Sequence, residues 1–276
     1  MHISLCNEVI ADMPFERQCA FARDVGYDGI ELAPFTMTDD PTRVSTSSSA
    51  RWRRAAADAG ISITSLHYLL RAPAGLSITA ADAGQRRRTI DVMRALCALA
   101  AELGANVLVH GSPDQRMFGP GDEDESRKRG IDCFAAMADT ASQAGVVYCI
   151  EPLARNQTQF VNTVAEAAEI VRAIGSPAVR TMIDCSSASQ AETESVADLV
   201  RRWMPTGVIG HIHFNDPNRR GPGEGSLTFA PILAALKESC YAGNAAVEPF
   251  IYEPDGPTCA ARQIGYLRGL IEASNA

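Results

Sequence analysis

Four residues of the kinds that bind metal ions each stand at the end of a short apolar run. Glu151 closes VVYCIE, Asp184 closes VRTMID, His213 lies in GVIGHIHFND, and Glu248 ends NAAVE. Taken singly, a carboxylate at a strand end reads as a helix cap or a partner for a loop arginine. Three carboxylates brought together in a low dielectric without a cation repel one another, and a bound divalent ion removes that cost. The four are therefore read as the ligands of one divalent metal ion. Mn²⁺ is the first choice for this oxygen-rich set, with Mg²⁺, Co²⁺ or Zn²⁺ as alternatives; no cysteine joins it to favour zinc.

Other residues near these positions are candidates for the pocket. His211 precedes His213 by two, so in a strand both side chains point the same way. His213, nearer the strand's carboxyl end, is taken as the ligand and His211 as a pocket or supporting residue. His67, near the end of SITSLHYLL, is expected to reach a substrate together with Arg71, which suits an anionic or hydroxylated group. His110 ends ANVLVH and fits a pocket wall or a neutral hydrogen-bonded place beneath it equally well. Arg71 and Arg116 are the candidates to meet a phosphate. The eight cysteines are scattered with no CxxC pair, and even Cys185, beside Asp184, reads as a small buried hydrophobe rather than a nucleophile.

Something must bring four distant residues to one point. Their separations of 33, 29 and 35 residues each match one strand-plus-helix unit. The chain alternates apolar runs and amphipathic stretches eight times. Candidate strands are His2–Asn7, Asp28–Ala33, Ile61–Leu69, Asn106–His110, Val146–Glu151, Val179–Asp184, Val208–Phe214 and Ala245–Glu248. Helices are expected between them, among them Gln85–Leu103 and Arg127–Ala144. Within Ile90–Leu103 apolar residues recur at i, i+3, i+4 and i+7, as a helix covering a sheet requires. Gly26, Gly60, Gly104 and Gly145 each follow a helical run and precede a strand, where a left-handed residue closes the helix. The strands are near-continuous apolar runs, the mark of a parallel sheet buried on both faces.

Eight such units with no GxGxxG after the first strand point to a closed (β/α)8 TIM barrel, an α/β fold of about 250 residues, rather than an open sheet. The 276 residues are read as one domain, 1–276. The four ligands then end strands five to eight, on the face where such barrels carry their sites. Gly119–Glu125 and Asn218–Ser226, both polar loops after strands, are expected on the rim.

Composition excludes several classes. Hydrophobic residues make up 46% and charged residues 21%, which is globular rather than disordered. No apolar run nears the roughly 20 residues of a membrane span, and the first residues lack a signal-peptide pattern, so a cytoplasmic protein with no membrane partner is expected. The net charge of −8 argues against a nucleic-acid partner, since phosphate binding needs a basic face. The run Arg86–Arg88 reads as a solvated helix face.

The ordered set IEPL, FVNT, MIDC, GHIHFNDPNRRGPGEG and VEPF resembles the xylose isomerase-like barrel superfamily, in particular the sugar isomerase and epimerase group related to D-tagatose 3-epimerase. The resemblance runs over most of the chain and is strongest from Val147 to Phe250. It implies Glu151, Asp184, His213 and Glu248 as metal ligands, with Glu151 and Glu248 also acting as acid and base. It implies a small carbohydrate substrate, an enediolate mechanism and a homodimer or homotetramer. Arg219, six residues after His213, matches the group's substrate-contacting arginine. Two positions depart: Gln157 stands where a substrate-contacting glutamate is usual, and Ser187 where a histidine is usual. Both are kept as substrate-binding residues, and their change puts the sugar rather than the chemistry class in question. A lyase that eliminates from 3-keto-glycosides and a non-catalytic sugar-binding barrel are the alternatives. The superfamily's DNA-repair branch uses a histidine-rich three-metal cluster, which five histidines and an acidic chain do not support.

Overall fold

A computed structural model describes residues 1–274. Eight strands form a closed barrel in the order of the sequence, every neighbouring pair parallel. They are β1 (His2–Cys6), β2 (Gly29–Leu32), β3 (Ser62–Leu66), β4 (Val107–His110), β5 (Val147–Ile150), β6 (Val179–Asp184), β7 (Ile209–Phe214) and β8 (Asn244–Val247). Closure is made by β1 pairing with β8, with His2 opposite Asn244 and Leu5 opposite Val247. All eight expected strands are present, mostly one or two residues shorter than the apolar runs.

The third is cut most. After His67, whose amide still donates to the Leu32 carbonyl, Tyr68 takes a left-handed φ of 51° and the chain turns away. The Leu70 amide then donates to Ser112 Oγ at 2.9 Å.

Among the described residues ten α-helices surround the strands: α1 (Phe15–Val25), α2 (Thr46–Asp58), α3 (Ala83–Leu103), α4 (Glu123–Ala135), α5 (Ala138–Ala144), α6 (Val164–Ile174), α7 (Cys185–Ala191), α8 (Val196–Trp203), α9 (Phe229–Glu238) and α10 (Gly256–Ala273). Helix α3 buries Val92, Met93, Leu96, Leu99, Ala100 and Leu103, the apolar stripe its sequence carries. It starts behind Asp82, whose carboxylate accepts the Gln85 amide, and stops at Gly104 with φ 81°. Gly26, Gly60 and Gly145 likewise have positive φ. The single helix expected over Arg127–Ala144 is two helices, α4 and α5, interrupted at Ala136 and Met137. No described helix is long and apolar enough to cross a membrane.

The two-residue period of the strands sorts side chains into two layers. Leu108, Tyr148, Ile150, Ile183, Ile212 and Phe214 face the helices and belong to the large outer core. Val107, Val109, Cys149 and Met182 form a separate apolar cluster, the floor beneath the inward-facing polar residues. Because Val107 and Val109 point inward, His110 points out, edge-on to Phe134 with centroids 4.9 Å apart. Its Nδ1 lies 2.7 Å from the Tyr148 hydroxyl.

Candidate metal centre and active site

The inward phase continues upward into chemistry. Glu151 and Glu248 are the first residues beyond β5 and β8, and their amides still donate to the carbonyls of His110 and Phe214. Asp184 and His213 end the pair β6 and β7 in direct register. The four groups bring one ligand atom each within 4.8 Å of one another, and all four residues are buried. His213 Nδ1 lies 3.0 Å from Glu248 Oε2, 3.2 Å from Glu151 Oε1 and 3.8 Å from Asp184 Oδ2.

These residues fit a cation. His213 Nε2 is 2.7 Å from Glu31 Oε1; in the tautomer that donates its Nε2 proton there, the Nδ1 lone pair is aimed into the three carboxylates. That Nδ1 is buried and without a hydrogen-bond partner. Electrostatics without an ion shows the same crowding. Burial, then the charges of Glu151 and Glu248, push the Asp184 carboxyl up to about 7. Burial also works against Glu248, but His213 and His67 hold it down at about 2. A divalent ion between the four would satisfy the orphaned nitrogen and the repelling carboxylates together.

The sequence did not single out Glu31, Asn215 or Glu8. Glu31, inward on β2 and fully buried, accepts from Ser65 Oγ and Cys6 Sγ and lies 2.7 Å from His211 Nε2 as well as from His213. Burial opposes its charge, yet the two histidines hold it well below the usual carboxylate range. Asn215, the residue after β7, donates to Asp184 Oδ2 at 2.5 Å and to Glu248 Oε2 at 3.2 Å, and accepts the Ser186 amide. Gly111 follows β4 in the inward phase, and a Cβ there would sit 1.5 Å from Glu151 Oε2. Glycine at this position makes the space that the Glu151 carboxylate occupies.

Above the four candidate ligands opens a cavity of about 540 Å³, within the usual range for small-molecule sites. Gln157, Ser187 and Arg219 line it, joined by Tyr68, Asn156, Ser186, Gln190 and Phe250. Arg219 is fixed in a left-handed turn with φ 69°; its carbonyl accepts from the Phe250 and Ile251 amides, and its guanidinium lies over the Phe250 ring. Of the two loops expected on the rim, Asn218–Ser226 contributes Arg219, while Gly119–Glu125 does not reach the lining.

Four of the residues expected around the substrate lie outside the cavity lining. His211 is not in the cavity but buried beneath it against Glu31, because it lies one inward step below His213. His67 does not line the cavity either: its Nδ1 meets Glu248 Oε1 at 2.9 Å and its Nε2 faces Glu8 Oε2 at 3.6 Å. Arg71 is exposed on the turn beyond Tyr68, outside the lining. Arg116 is fully buried and donates to the Glu151 carbonyl at 2.8 Å, so it is not placed to meet a phosphate. Burial pushes the Cys185 thiol well up, which suits an inert core residue.

Barrel and site together define an α/β enzyme-type scaffold, and the sequence comparisons give its kinship. The chain belongs to the xylose isomerase-like TIM barrel family, whose profile matches residues 19–270. It is 33% identical over 132 residues to the D-psicose 3-epimerase of Agrobacterium fabrum, a match covering 48% of this chain and 45% of that enzyme. The chain thus aligns with under half the length of that relative. With the L-ribulose 3-epimerase of Mesorhizobium japonicum the identity is 28%, over 92% of this chain and 81% of the other. The crystal structure of a D-psicose 3-epimerase determined in the presence of D-fructose superimposes with a TM-score of 0.84, at 22% identity, over 98% of this chain and 99% of that one.

Proposed function

We propose that this chain is a divalent-metal-dependent sugar epimerase or isomerase acting on a ketose through proton transfer next to a carbonyl. The observation that carries the reading is the orphaned Nδ1 of His213 facing three buried carboxylates at the floor of an open polar cavity. Glu151, Asp184, His213 and Glu248 would hold the ion, with Mn²⁺ the first candidate for an oxygen-rich set. When bound, the ion supplies Lewis-acid stabilisation of the negative charge that develops on the substrate's oxygens. Relatives named as ketose 3-epimerases support the same class.

The chain's own groups then divide the work. Glu151 and Glu248 come from different sides of the cavity, so one removes the proton beside the carbonyl and the other delivers a proton to the opposite face. Return to the same carbon gives the epimer; delivery to the neighbouring carbon gives the aldose. Gln157, Ser187 and Arg219 would orient hydroxyls. Among the described lining residues Arg219 is the single cation, and it is stacked on Phe250. With Arg71 and Arg116 turned elsewhere, an unphosphorylated sugar is favoured.

The test is incubation of metal-stripped protein, with and without Mn²⁺, in D2O with ketoses, ketose phosphates and 3-keto-glycosides, following carbon-bound protons by NMR. Metal-dependent deuterium uptake with a new stereoisomer or aldose is expected. Release of an aglycone, or no exchange by fully metal-loaded protein, would overturn the assignment.

A further inference from the structure

The chemistry above uses Glu248 but not the two buried groups behind it. Glu8 sits on a 3-10 turn, Asn7–Ile10, immediately after β1, and His67 follows β3. His67 Nδ1 is 2.9 Å from Glu248 Oε1. On the far side of the ring, Nε2 is 3.6 Å from Glu8 Oε2. Both of these facing atoms are buried without a hydrogen-bond partner, so a small rotation joins them and relieves two unsatisfied groups at once. The ring is also braced edge-on against His213, centroids 5.9 Å apart. Glu248 Oε2 meanwhile meets Asn215 Nδ2 at 3.2 Å.

A glutamate that must both hold an ion and exchange a proton with carbon needs one particular oxygen presented in one direction. A donor on Oε1 fixes the carboxylate plane and leaves Oε2 for the site. We propose that Glu8 and His67 form a positioning clamp on Glu248: His67 holds Oε1, and Glu8 holds His67. Either an imidazolium facing a carboxylate or a neutral ring facing the carboxylic acid serves, because the pair shares its proton along one line. A substrate-contacting histidine at this place would line the cavity, which His67 does not. The role of the clamp in turnover rests on the reaction proposed above; its geometry does not.

The experiment compares Glu8→Gln, His67→Gln and His67→Leu with the unaltered Mn²⁺-loaded protein for kcat, KM and metal content. In parallel, the histidine ring N–H protons of the metal-free proteins are followed by 15N-edited NMR, the His67 signal being identified by its loss in His67→Gln. His67→Leu is expected to lower kcat about 100-fold with KM and metal content unchanged, as misplacement of a reacting group does. His67→Gln, which keeps a donor, should recover at least about tenfold of that loss, and Glu8→Gln should cost about tenfold in kcat. Glu8→Gln should also shift the His67 ring proton in the metal-free protein. A kcat for metal-loaded His67→Leu within about twofold of the parent overturns the clamp, as does a loss confined to KM. If His67→Leu does not fold, the two conservative variants decide. Should the parent turn over no sugar, the reaction reading fails, while an unmoved His67 signal in Glu8→Gln separately refutes the clamp.

Discussion

Glu151 and Glu248 reach the same point from β5 and β8, yet their surroundings differ. Glu248 is held on both oxygens, by His67 on one and Asn215 on the other, with His213 alongside. Glu151 Oε1 faces His213 Nδ1 at 3.2 Å, but among the described residues no side chain donates a hydrogen bond to its carboxylate. It is located instead by shape: Gly111 leaves the hollow it fills, and Arg116 grips its backbone carbonyl. Of the two proposed acid/base groups, one is fixed by hydrogen bonds and the other by space. Glu248 is thus the hydrogen-bonded member of the pair, and Glu151 the one placed by shape.

The largest break in this comparison is removal of either carboxylate. Glu151→Gln and Glu248→Gln should each lower turnover by about 10²- to 10⁴-fold, the usual range for a lost acid or base. Near-normal kcat in either variant would remove that residue from the chemistry. Gly111→Ala should act on the Glu151 side alone: the new methyl cannot share the space of Oε2, and a displaced base costs about 100-fold. Steady-state rates with a melting curve check this, the fold surviving while kcat falls. Asn215→Leu acts on the other side, stripping a donor from both Asp184 and Glu248. Loss of such an outer partner should weaken Mn²⁺ binding about 10- to 100-fold, read by calorimetric titration. Smallest in turnover are Gln157→Ala and Ser187→Ala, each expected to raise KM about two- to tenfold with kcat nearly unchanged, as loss of one hydrogen bond would.

His110 supplies a contrast by charge, buried one step out of phase with the active histidine. Burial and the nearby Arg116 hold it neutral down to about 3, against an ordinary 6.5. Between those values the unfolded chain takes up a proton that the folded chain refuses, so stability rises with pH through this window and falls on acidification. At pH 5 the loss amounts to about 2 kcal/mol relative to pH 7. Urea unfolding at both pH values should show this extra loss in the parent and not in His110→Phe; equal losses would refute it.

Most of the barrel was legible because parallel strands covered on both faces are written as apolar runs, and glycines punctuate the helix ends. The four proposed ligands were legible for a related reason: each is a metal-binding residue type at or next to the end of such a run. Glu31 lies inside the run GIEL, one residue before its end, and carries only a weaker form of that signal. It escaped because its partners, His211 and His213, lie on the opposite part of the chain, and a lone carboxylate reads as a cap. His67 was placed beside the substrate since nothing local reveals that Glu248, 181 residues away, takes its Nδ1. The phase of His110 was readable in principle, given that Val107 and Val109 fix which way alternate residues point. Arg116 defied its composition: a fully buried arginine is rare enough that a solvent-facing role was the natural reading.

The Glu31–His213 contact spans 182 residues and joins the second strand to the seventh, while His67–Glu248 joins the third to the last. The first contact cannot form before the seventh strand has been made, nor the second before the eighth. During synthesis, the early half-barrel therefore holds Glu31 with only Ser65 and Cys6 as partners, and the four proposed ligand positions are not yet together. An ion held by the four proposed ligands would therefore be captured at the end of assembly, where its binding energy would go into sealing the ring rather than into trapping a partial one.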